Sequence, residues 1–175
     1  LTDEQLVTHY EKKIQLAPED LKVAYHIWQL YCDEKPIELK AEIKKSSNFK
    51  YLSSCIRAHI ERFPNKDTGL NSLETNILKL IDLYDISSVK QLCGYALNHQ
   101  GYYGYGDLQV NRMIKALKPF FRMKGGQLVL NTKGKNVLDG SENYYDTLKD
   151  DSSYGGTHKY SFLYNPASHE LIKHS

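Results

Sequence analysis

The spacing of apolar residues changes once along this chain, at Pro119, and that change constrains the fold more than any other feature. Before it, apolar residues recur at three and four, the signature of helices with one buried face. After it, Phe121-Arg122-Met123-Lys124 and Gln127-Leu128-Val129-Leu130 flank Gly125-Gly126, which predicts a β-hairpin with a two-residue turn. The chain is therefore expected to be α+β and predominantly α. A helical N-terminal unit, a winged-helix-like centre and a C-terminal β-hairpin are expected in that order.

Helix punctuation divides the rest. Thr2 with Gln5, Asn71 with Glu74 and Ser88 with Gln91 have capping-box spacing, and Pro18 suits a first helical position. The first helix should bury Leu6, Val7, Tyr10, Ile14 and Ala17, and the second Leu21, Tyr25, Trp28 and Tyr31 or Cys32. A short charged helix is expected over residues 37–45. A clear amphipathic one is expected over 49–63, with Leu52, Cys55, Ile56, His59, Ile60 and Phe63 inward and Pro64 ending it. Helices from Asn71 and Ser88 follow, the first carrying Leu73, Ile77, Leu80 and Ile81, the second Leu92, Cys93 and Ala96. Three glycines make GYYGYG at 101–106 a loop, after which Asp107 caps a helix with Leu108, Met113, Ile114 and Leu117. Thr132 is expected to cap a short helix ended by Gly140, residues 141–153 to be an exposed acidic loop, and 157–164 with 169–173 to form the last hairpin. The units are placed at 1–66, 67–140 and 141–175, the last an acidic loop and β-hairpin expected to pack on the unit before it.

With 175 residues, 41% of them hydrophobic and 25% charged, the chain can bury a modest core and has no reason for wholesale disorder. No apolar run reaches the roughly 18 residues a bilayer-crossing helix needs, so no membrane partner is expected. The opening lacks a basic and apolar leader, and lacks Met, so a mature or shortened form is expected. Cys32, Cys55 and Cys93 are too few and too scattered for a disulfide framework; three reduced core thiols in the cytoplasm are expected.

Charge is uneven. Residues 108–138 hold Arg112, Lys115, Lys118, Arg122, Lys124, Lys133 and Lys135 but none of the 21 acidic residues, which leaves the remainder net acidic. Three helices followed by a Gly-Gly hairpin is the order of a winged helix, with the helix from Asp107 in the recognition position. Gln109, Asn111, Arg112, Lys115 and Lys118 on that helix, with Arg122 and Lys124 on the wing, would then read bases or bind phosphate. Tyr102, Tyr103 and Tyr105 beside them would stack on bases or, the reading given more weight, lie on the core surface.

The strings AHIERFPNKDTGLNSLETNIL, NTKGKNVLDG and YGGTHKYSFLYNP resemble, in that order, the C-terminal half of a bacterial family described as a domain of unknown function. The matching elements are His59, Arg62, Phe63 and Pro64, then Gly69, Leu70 and Glu74. Thr132, Gly134, Val137, Leu138 and Gly140 follow, and then Gly155, Gly156 and His158. The resemblance covers roughly residues 20–175 and implies a further N-terminal domain ahead of Leu1. It implies no activity, cofactor or catalytic residue.

His59 and Arg62 at a helix end would grip an anion or satisfy the last carbonyls, with Glu74 pairing Arg62 to lock two units together. His158 and His169, expected on opposite arms of the last hairpin, lack a third ligand, and zinc, nucleotide-loop and nucleophile-elbow patterns are missing. No catalytic residue, metal or cofactor is assigned. The expected function is a non-catalytic interaction or structural module, its partner the preceding domain of the same protein or a second copy. The alternative is nucleic-acid binding through the basic helix and wing.

Overall fold

The computed structural model describes residues 1–44 and 48–174 and shows an α+β chain, predominantly α. Four helical segments open it: α1 (Asp3–Glu11), α2 (Pro18–Cys32), a 3-10 turn (Pro36–Glu38) running into α3 (Leu39–Glu42), and α4 (Leu52–Ile60). Lys45, the last residue of the expected charged helix, lies outside the described residues. Thr2 and Gln5 form the expected reciprocal cap on α1, and Pro18 stands at the first position of α2. α4 begins three residues later and ends three residues earlier than the apolar spacing suggests.

The centre consists of α5 (Ser72–Leu83), α6 (Val89–His99) and α7 (Asp107–Ala116), a 3-10 turn (Lys118–Phe120), then β1 (Phe121–Lys124) and β2 (Gln127–Leu130). β1 and β2 are antiparallel, with Phe121 opposite Leu130 and Lys124 opposite Gln127 across Gly125-Gly126. Asn71 and Glu74 cap α5 reciprocally, each bond 2.8 Å. Two expected caps shift by one residue. Gly106, not Asp107, is the N-cap of α7, and Asn131, not Thr132, caps α8 (Thr132–Asp139) with its side chain on the Gly134 N–H. Asn131 wins because its amide also donates to the Pro119 carbonyl, tying α8 to the preceding turn. Ser88 accepts from the Gln91 N–H as expected, but the Gln91 side chain returns to Ser87.

The C-terminal stretch departs most from expectation. Residues 141–153 are not simply an exposed loop: they contain α9 (Tyr145–Leu148), and Tyr144 and Tyr145 are buried. Tyr144 packs edge-on to Phe120, and the Tyr145 hydroxyl donates to the Tyr160 carbonyl. β3 (Ser153–Tyr154) pairs with β4 (Thr157–His158), and β5 (Phe162–Asn165) with β6 (Glu170–Lys173). His158 and His169 therefore never face each other; His158 lies opposite Ser153, and the Tyr164 hydroxyl meets His169 Nδ1 at 2.7 Å. Among the described residues no cluster of His, Cys, Asp and Glu could hold a metal.

Two apolar clusters result. One gathers α5–α8 and the β1–β2 hairpin around Leu70, Ile77, Leu78, Leu92, Ile114 and Phe120. The other gathers Leu30, Leu39, Ile56, Ile60 and Phe63 with Phe162, Tyr164 and Leu171, so the closing hairpin packs on the first unit rather than on the centre. Backbone ties fasten the seam: Tyr164 N–H donates to the Pro64 carbonyl at 2.7 Å, Lys66 N–H to the Tyr164 carbonyl at 2.9 Å, and Tyr144 N–H to the Thr68 carbonyl at 2.9 Å. Gly69 is required at that seam. Its φ is +79°, and a Cβ there would stand 2.2 Å from the Tyr145 nitrogen.

Candidate functional site: an uncovered apolar groove and a polar cleft

The apolar stripes legible in the first two helices are not the surfaces that pack. α1 buries none of its residues, and Leu6, Tyr10 and Ile14 all face solvent. On α2 the expected stripe of Leu21, Tyr25 and Trp28 is about 60% exposed, whereas Leu30, on the other side, enters the core. α4 and the turn after it split likewise: Ile60 and Phe63 are buried in the core, while Leu52, Cys55, His59 and the buried Ile56 line an open groove with Ala24, Ile27, Trp28 and Tyr31 of α2. Leu39 and Phe49 complete it, and its volume is about 430 Å³. Cys32 and Cys55 are accordingly exposed thiols rather than core residues, and Cys93 alone of the three is buried.

α2 is held firmly behind this groove. The Asp20 carboxylate is buried and accepts from the Ala17 N–H at 2.9 Å and from Asn48 at 3.1 Å (backbone) and 2.7 Å (side chain). Those bonds, led by the Asn48 N–H, hold its pKa below the usual carboxylate value. Gly155 and Gly156 of the β3–β4 turn press on the α2 end, where a Cβ on Gly155 would stand 2.0 Å from the Tyr31 carbonyl oxygen.

The second feature is a cleft of about 250 Å³ between α4, α5, α7 and the β3–β4 hairpin. Lys159 and Glu74 form its floor as a buried ion pair at 3.2 Å. Glu74 thus takes Lys159 where the sequence suggests Arg62, because its second oxygen already accepts the Asn71 N–H at 2.8 Å in the α5 cap. Burial works against the Lys159 ammonium, but Glu74, with Tyr154 and Tyr160, outweighs it and leaves the pKa above the ordinary lysine value.

Arg62 instead lies between two tyrosines, its guanidinium carbon 4.2 Å from the Tyr154 ring centre and 5.4 Å from that of Tyr105. Its buried Nε has no hydrogen-bond partner, and neither has Nε2 of neighbouring His59. Burial, then the Arg62 charge, pushes His59 down to about 4, so its ring is neutral near pH 7. Tyr103 donates to Glu61 at 3.0 Å, and Gln100 pins the Tyr105 backbone from both sides. The tyrosine loop therefore lies on the body of the protein.

The seven residues expected to contact nucleic acid are all exposed, but they divide. Gln109 and Arg112, one turn apart, line the polar cleft. Arg122 and Lys124 line a separate groove with Asp82, Asp85 and Lys135. Asn111, Lys115 and Lys118 are exposed and line neither place. Sequence reasoning missed Lys159, Tyr154 and Asp150 as cleft residues, and nothing local to 150–159 signals that Lys159 meets Glu74 or that the other two line the same cleft.

No family model, curated protein or solved structure matches this chain. Among the described residues, no helix is long and apolar enough to cross a membrane.

Proposed function

We propose that this chain is a non-catalytic interaction module that self-associates by exchanging α1 between two copies, each arm lying in the α2–α4 groove of the other. The observation that carries this reading is the mismatch between pattern and packing. The apolar stripes of α1 and α2 have the period of buried faces, yet both stand uncovered, and α2 borders an unfilled apolar groove. Of the two partners the sequence suggests, a preceding domain and a second copy, the second copy is favoured because one chain holds both the arm and the groove. Six linker residues, 12–17, reach at most about 20 Å, enough to bridge neighbouring copies. Asp20 fixes where that linker leaves the body, and α1 stands clear of its own groove. Covering six large side chains in a reciprocal pair is worth about 12 kcal/mol gross, against an association cost of at least about 4 kcal/mol. A dissociation constant of about micromolar at the tightest follows.

The centre is read as a winged-helix-like scaffold, the exposed free thiols suit the cytoplasm, and membership of the domain-of-unknown-function family is retained as part of this proposal. The nucleic-acid alternative is weaker because the basic residues are divided between two places, one of them shared with Asp82 and Asp85.

Sedimentation from low micromolar to submillimolar concentration tests the reading, with Trp28, the single tryptophan, as the optical probe. A dimer whose emission shifts to the blue as it forms is expected, and Leu6→Glu/Tyr10→Glu should abolish both signals. A monomer with unchanged emission throughout, or a dimer indifferent to the double substitution, overturns it.

A further inference from the structure

We propose that the cleft between α4, α5, α7 and the β3–β4 hairpin binds a small tetrahedral oxyanion, a phosphate or the phosphate group of a small phosphomonoester. Five ionisable groups other than tyrosine line it: Arg62, Arg112 and Lys159 against Glu74 and Asp150. Their pairing decides the sign. Lys159 and Glu74 neutralise each other at 3.2 Å on the floor. The Asp150 carboxylate accepts from the Ser152 N–H at 2.9 Å and from the Ser152 hydroxyl in its own loop and keeps its charge, so three cations against two carboxylates leave the lining net positive. Arg62, in the turn that follows α4, and Arg112 of α7 line the same recess and are left without a carboxylate partner among the described residues.

Arg62 is also pre-organised. Tyr154 and Tyr105 hold its guanidinium plane, and its buried Nε–H lacks an acceptor. A buried unsatisfied donor on a permanently charged group is costly unless an acceptor arrives. Oxyanions are the acceptors guanidinium groups match best, through paired N–H bonds. Gln109 and Asn71 add amide groups to the same walls. The volume of about 250 Å³ admits a phosphomonoester of modest size.

The site lies apart from the apolar groove, so it stands or falls separately from self-association. The test is isothermal titration of the full chain with inorganic phosphate, sulfate and acetate at matched ionic strength, beside Arg112→Ala. Arg112 is exposed and its loss should leave the fold intact. Phosphate and sulfate should bind at one site per chain and acetate much more weakly. Arg112→Ala should weaken phosphate binding by about tenfold or more. The Leu6→Glu/Tyr10→Glu variant should bind phosphate as the wild type does. An uncharged Asp150→Asn rim should tighten binding.

Three results overturn the proposal: no saturable phosphate binding, equal binding by Arg112→Ala, or equal preference for acetate. A short DNA duplex that binds with the same Arg112 dependence and displaces phosphate also overturns it, in favour of a nucleic-acid surface.

Discussion

Lys159→Met should cost about 3 kcal/mol of folding stability, and the structure sets that figure. Lys159 and Glu74 are 5% and 7% exposed, so the pair is shielded from bulk water and salt. Removing one member of a buried pair strands the other charge, a loss of roughly 3–5 kcal/mol. The lower end applies because the Glu74 carboxylate keeps the Asn71 N–H at 2.8 Å and stays partly solvated by the α5 cap. Methionine fills the lysine stem volume, so little of the loss comes from a cavity. In urea the midpoint should fall by about 1 M or more. The control is Lys159→Met/Glu74→Gln, which leaves no charge buried and keeps an amide oxygen for the Asn71 N–H. It should recover at least half of the loss despite carrying two substitutions. A single variant within about 1 kcal/mol of wild type, or a double variant less stable than the single one, would refute the view that this pair clamps the C-terminal segment to α5.

Three further outcomes are expected. His59 is neutral in the folded chain with a pKa of about 4, while the unfolded chain protonates it near 6.5, so the unfolded state holds more protons between those values. Stability should therefore fall as pH drops from 7 to 5, by on the order of 1–2 kcal/mol after allowance for the ring's partial exposure, and urea unfolding of His59→Gln should lose that slope. Gly155→Ala combines a φ of +63° with a Cβ 2.0 Å from the Tyr31 carbonyl oxygen, so it should cost roughly 1–3 kcal/mol or more, read as a lower melting temperature. Tyr145→Phe removes the donor to the buried Tyr160 carbonyl and should cost about 1–2 kcal/mol in the same assay, whereas Tyr102→Phe, on an exposed ring, should change nothing measurable.

What the sequence reveals here is what a few neighbouring residues decide. The Thr2–Gln5 and Asn71–Glu74 caps and Pro18 at a first helical position are legible because each involves partners within one turn. The β1–β2 register follows equally from Gly125-Gly126. The polar cleft is illegible for the opposite reason. Glu74 and Lys159 are 85 residues apart, and Arg62 meets Tyr154 only because the β3–β4 turn is wedged on the end of α2. The burial of Tyr144 and Tyr145 is hidden similarly, since acidic neighbours mask a pair of aromatics whose partners, Phe120 and Tyr160, lie elsewhere.

The N-terminal helices show a different kind of failure, and a useful one. Periodicity finds the apolar face of a helix but not what covers it, because a face packed on its own chain and a face packed on another have the same spacing. Leu21, Tyr25 and Trp28 satisfy the rule for burial on sequence and violate it in the isolated chain. Leu30 and Ile27 meet the core from the neighbouring side of the same helix. A helix with apolar residues on two sides is one built to be buried on two sides. α2 already spends one side on the β5–β6 hairpin cluster, and its second side is the surface to which the proposed exchange assigns a cover. α1, the linker and the groove supply matching surfaces in the right number for a two-fold exchange, whereas a lone exposed stripe would leave the partner's chemistry open. If two copies exchange α1 as proposed, Trp28, 61% exposed in the single chain, should become protected when they associate, and a Trp28 emission that does not change with concentration would refute that exchange.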